Sequence, residues 1–131
     1  MNSERMTSKA LLILAAIVEV ATGLVLVIQP ALFVRLLFGV EMSGAGLALG
    51  RLAGFGLFSL GVACWPLPTP TLAALRAMLI YNFLATVYLA YLRFGSDLTG
   101  RLLLPAIALH GVLALLFVRA WFKHCSEEIK L

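Results

Sequence analysis

Four side chains in this sequence carry chemistry that their surroundings do not invite. Glu19, Arg51, Asn82 and His110 each sit inside a run of apolar residues. A carboxyl, a guanidinium, an amide and an imidazole can together hold a proton, pair charges and orient a polar ligand. In hydrocarbon such groups are costly, about 3 kcal/mol or more for an unpaired arginine, so each needs a partner, water or a route to the interface. A helix rises about 1.5 Å per residue, which puts Glu19 and Asn82 about ten residues from one end of their runs and Arg51 and His110 about eight or nine from the other. All four then fall near one depth.

Side chains at one depth can satisfy each other in the interior of a bundle. The expectation is an ion pair between Glu19 and Arg51, with Tyr81, Asn82 and His110 completing a hydrogen-bonded layer. Thr22 and Gly23 share the face of Glu19, and Thr86 shares that of Asn82. Such a layer has two uses. It can fix which helices pair and in what register, or it can touch a ligand, an ion or a proton.

Chemistry of other kinds is missing. The sequence contains no phosphate-binding glycine loop, no Ser-His-Asp set with usable spacing and no pair of carboxylates near a pocket. Glu127 and Glu128 are neighbours in a short tail. Cys64 and Cys125 lie far apart without a metal-ligand spacing, so neither zinc nor a structural disulfide is expected. His110 is the one histidine inside an apolar run, since His124 is in the tail; haem held by two histidines would need two subunits. An enzyme acting alone is the least favoured class.

The elements that must position the layer are long apolar helices. Hydrophobic residues make up 63% of the 131 and charged ones 12%, and the mean hydropathy is +1.06, well beyond the apolar share of about 45–50% in soluble domains. A bilayer crossing needs about 20 such residues. Spans are expected at about 9 to 29, 43 to 65, 71 to 92 and 101 to 122, in a single all-α domain running up-down-up-down. Thr7 or Ser8 would cap the first span, and its apolar run is too long for a cleaved secretory signal. Pro30 follows it, and ALFVRLLFGV is then too short to cross, which predicts an interfacial helix after the first span. PLPTPT and GSDLTG make the later turns, and Pro105 delays the start of the last helix.

Within the second span, Gly46, Gly50 and Gly54 recur every four residues, forming a smooth stripe where another backbone can approach. The approaching helix belongs either to the same chain or to a second copy in a homodimer. No internal repeat is visible.

The net charge of +4 is spread between the apolar runs and forms no patch for nucleic acid. Six basic residues (Arg5, Lys9, Arg76, Arg119, Lys123, Lys130) fall on one side and Arg35, Arg93 and Arg101 on the other, so both termini are expected in the cytoplasm. Trp65 and Trp121 would sit at the inner interface and Tyr88, Tyr91 and Phe94 towards the outer one. Both cysteines would then face the reducing side.

Glu19 in AAIVEVATGLVLVIQPALFVRLLFG, Arg51 in LGRLAGFGLFSLGVACW, Tyr81-Asn82 and PAIALH together resemble small four-helix bacterial membrane proteins of the broad DoxX-like type, over residues 10 to 118. Some of that group are described as subunits of a thiosulfate–quinone oxidoreductase. The resemblance implies an inner-membrane location and a connection to quinones or to a membrane redox complex, and it carries over no catalytic residue. AIVEVATG is also similar to the first span of small multidrug transporters, whose membrane-embedded glutamate exchanges protons for cationic drugs. Arg51 departs from that pattern, because it would compete with a cation for Glu19.

The expected function is binding of a lipid-like or quinone-like molecule at the layer formed by Glu19, Arg51, Tyr81, Asn82 and His110. Arg51 would attract an anionic or carbonyl group, and the apolar body would lie along the cleft left by the glycines. A proton-coupled small transporter and an accessory subunit of a membrane redox complex are the alternatives.

Overall fold

The computed structural model describes residues 2–67 and 69–128, with side chains from 6 to 67 and from 69 to 123. His124, Cys125, Glu127 and Glu128 therefore lie outside the described side chains. Among the described residues five helices follow one another: α1 Asn2–Ile28, α2 Pro30–Phe38, α3 Gly44–Ala63, α4 Leu72–Gly95 and α5 Leu103–Glu128. No strand occurs among the described residues. Four helices contain stretches long and apolar enough to cross a membrane: Met6–Ile28, Gly44–Ala63, Leu72–Gly95 and Leu103–Lys123.

α1 starts earlier than the sequence predicts. Thr7 and Ser8 lie inside it, away from its first turn, because no glycine or proline interrupts the chain between Asn2 and Thr22. Pro30, which has no N–H and blocks the turn before it, separates α1 from α2. It opens α2 at the first helical position, where that missing donor does no harm. α2 ends at Gly39, whose φ of 77° lies in the left-handed region and whose N–H donates to the Arg35 carbonyl at 3.0 Å. Thr71 caps α4, its side-chain oxygen accepting from the Ala74 N–H at 3.2 Å.

The helices form two intimate pairs. α1 packs along α3, and α4 along α5. Glycines make the first pair close. A Cβ added at Gly54 would stand 2.7 Å from the Gly23 carbonyl oxygen, and one at Gly61 2.8 Å from that of Ala16. Such distances leave no room for any side chain, so backbone meets backbone. Higher residue numbers in α1 face lower ones in α3, so the two run in opposite directions.

Two apolar clusters hold the pairs together. One joins Leu12, Ala15 and Ala16 of α1 to Cys64, to Leu75 and Met78 of α4, and to Leu113 and Phe117 of α5. The other gathers Leu37 of α2, Leu89 of α4 and Leu103 at the start of α5. At this end the Leu102 N–H donates to the Leu36 carbonyl at 2.9 Å, and Gly100 lies against the Leu37 carbonyl with no space for a Cβ. α2 is thereby fastened to the turn between α4 and α5. The outward faces stay apolar, with Leu49, Leu52 and Phe55 on α3, Phe83 and Leu84 on α4, and Val112 and Leu115 on α5 all exposed.

Candidate functional site

Between the two clusters lies a polar level supplied by three helices. Tyr81 and Asn82 come from α4, His110 from α5 and Glu19 from α1. Asn82 is fully buried. Its amide nitrogen donates to the Met78 carbonyl at 2.8 Å, one turn back along α4, and the Thr86 hydroxyl donates to the Asn82 carbonyl at 2.7 Å. The bond to Met78 holds the amide, the Thr86 bond goes to the Asn82 backbone, and the amide oxygen faces α5.

That oxygen settles the state of His110. Asn82 Oδ1 can only accept, and it stands 2.8 Å from His110 Nδ1, so Nδ1 carries the proton. In a neutral ring Nε2 is then a bare acceptor. It has no hydrogen-bond partner among the described residues. Tyr81 meets the same imidazole edge to face, with centroids 5.7 Å apart at 83°, and this contact holds the ring against rotation.

Glu19 is 1% exposed, and neither carboxyl oxygen has a hydrogen-bond partner. The Tyr81 hydroxyl is the polar group that interacts with it, though not in hydrogen-bond geometry. The free thiol of Cys64 is buried on the same side. Leaving a buried polar group without a partner costs about 1–3 kcal/mol, and apolar packing of the same volume would avoid that cost.

Arg51 does not join the level, and the expected ion pair with Glu19 does not form. Arg51 is exposed, and its Nε donates to the Val27 carbonyl at 3.3 Å. Counting residues from the ends of each run placed Arg51 too near the middle. Against α1 it stands opposite Val27, eight residues beyond Glu19 and so about 12 Å along the helix. Val27 is in the last turn of α1, where carbonyls lack helical partners and the helix dipole favours a cation.

The glycines divide in the same way. Gly54 touches α1, and Gly50 meets the Pro30 ring, with 3.1 Å to an added Cβ. Gly46 faces only the Met42 side chain of its own segment. Gly61, seven residues after Gly54, takes the place expected of Gly46 in the α1 contact. The i, i+7 spacing was the signal available for it. All these contacts are within one chain.

Among the described residues no group of histidines, cysteines and carboxylates could hold a metal ion. No protein-family model, curated protein or solved structure matches the chain. The polar level must therefore be read from its own chemistry. It offers a carboxyl with two unfilled oxygens, a phenol and an imidazole with one unfilled nitrogen.

Proposed function

We propose that this chain is a small protein of the bacterial inner membrane that binds a lipid-like molecule, of quinone-like size and amphipathy, at Glu19, Tyr81, Asn82 and His110. Its four long helices cross the bilayer up-down-up-down with both termini in the cytoplasm, and α2 lies in the interface. Lipid covers the apolar outward faces, which in water would be an aggregation hazard.

One observation carries the binding reading. Glu19 is buried, and both its oxygens are unpartnered. Intramembrane ionisable groups are costly and mark ligand, ion or proton pathways. Asn82 holds His110 through a hydrogen bond and Tyr81 through ring packing, and Tyr81 also interacts with Glu19, so the polar end of a ligand would meet a preset arrangement.

Native mass spectrometry of the protein released from lipid nanodiscs tests this. A discrete adduct of lipid size, retained by the parent chain and lost in Glu19→Leu, is the expected result. Bare protein in both cases would refute it.

The position of Arg51 favours a second reading, proton-coupled transport. With Arg51 bonded to Val27, no cation competes for Glu19. Uptake that depends on pH and is lost in Glu19→Gln would move this reading ahead.

A further inference from the structure

The vacant hydrogen-bond positions at this level are not balanced between donors and acceptors, and the imbalance selects the ligand's polar end. His110 Nδ1 is committed to Asn82, which leaves Nε2 an acceptor. Glu19 supplies at least one accepting oxygen whether it is neutral or ionised. Asn82 has spent its oxygen on His110 and donates to Met78. Tyr81 brings one hydroxyl, and Glu19 is the group that hydroxyl faces. Arg51, the basic residue placed at this depth by sequence, is bonded elsewhere.

We infer that the polar end of the molecule bound here is a hydrogen-bond donor, a hydroxyl or an amine. This rests on the binding reading above and narrows it. An anion would face Glu19 with no cation to offset it. A carbonyl or ether head would leave a buried Glu19 oxygen unfilled and give His110 Nε2 nothing, and a site whose buried polar groups stay unpaired rejects such a ligand strongly. Among quinone-like heads, the dihydroxy form has O–H groups to donate and the oxidised form has none.

Three probes with one tail separate the cases: 4-octylphenol, 4-octylanisole, which lacks the O–H, and 4-octylbenzoate, which is anionic. The full chain carries His124→Gln, so that a single histidine remains, and is labelled with 15N-histidine in nanodiscs. 4-Octylphenol is expected to move the His110 Nε2 resonance saturably, at roughly tenfold lower concentration than the anisole, a difference worth about one hydrogen bond. The benzoate should not move it. Glu19→Leu, checked for retained helicity, should weaken the phenol and leave the anisole unchanged.

Equal or tighter binding of the anisole or benzoate would overturn the donor assignment while leaving a binding site. If no probe moves the resonance, both the assignment and the binding reading fail.

Discussion

Asn82 Oδ1 accepts a hydrogen bond from His110 Nδ1 at 2.8 Å, and this bond joins α4 to α5. The amide that makes it is itself pinned to the Met78 carbonyl. A side chain committed to its own helix thus presents one fixed acceptor to the neighbouring helix. The consequence reaches beyond packing, because the acceptor dictates which nitrogen of His110 is left open.

Removing one partner should therefore cost more than removing both. Asn82→Ala is expected to destabilise the protein by about 1–3 kcal/mol, since it strands the His110 Nδ1–H. His110→Ala should behave similarly. In a double-mutant cycle read by unfolding in mixed micelles, the pair should show a coupling of about 0.6 kcal/mol and at most about 1.7, the average and the maximum found for hydrogen bonds between membrane helices. Additive single effects would mean that the bond contributes nothing between helices.

Glu19 should show the opposite sign. Because its carboxyl has no hydrogen-bond partner, Glu19→Leu is expected to stabilise the ligand-free protein by about 1–3 kcal/mol while abolishing ligand retention. A stabilising substitution that removes function marks a residue kept for its chemistry. Loss of stability in Glu19→Leu would instead assign the carboxyl an architectural role.

The pattern of what the sequence revealed follows from the range of each force. The four apolar helices and the proline that separates α1 from α2 depend on composition and local backbone chemistry, and both are legible residue by residue. Glu19, Asn82 and His110 were recognisable as candidates because each is polar in an apolar run. Their partners were not. Whether Arg51 meets Glu19 or Val27 depends on the register between α1 and α3, which glycines set through backbone contacts spread over Gly23, Gly54 and Gly61. A shift of two turns separates an ion pair from a helix cap, and residue counts from uncertain span ends cannot resolve it. The bond from Asn82 to His110 was likewise invisible, since nothing local distinguishes it from a bond to Tyr81 or to Glu19.

Gly54 and Gly46 should respond differently to the same change. Gly54→Leu forces side-chain atoms against the Gly23 carbonyl and Leu26, so a loss of several kcal/mol, or failure to fold, is expected from overpacking of about 1–3 kcal/mol combined with helix separation. Gly46→Ala meets only the flexible Met42 side chain and should be tolerated. Thermal unfolding in detergent reads both. The oligomeric mass of Gly50→Ala, measured by light scattering with detergent correction, should equal that of the parent, since Gly50 contacts Pro30 of its own chain.

Arg51 provides the sharpest contrast with expectation from sequence. Its guanidinium is exposed and bonds a carbonyl in the last turn of α1, an arrangement worth about 0.3–1 kcal/mol at a helix C-terminus. Arg51→Lys, which keeps the charge and loses the planar fork, should cost a few tenths of that order. Arg51→Glu places an anion at the negative end of the α1 dipole and should destabilise by about 1 kcal/mol. Neither change touches Glu19, so ligand retention and the His110 resonance should stay as in the parent chain. Loss of the ligand in Arg51→Lys with unchanged stability would return Arg51 to the site and restore the ion pair as its working arrangement.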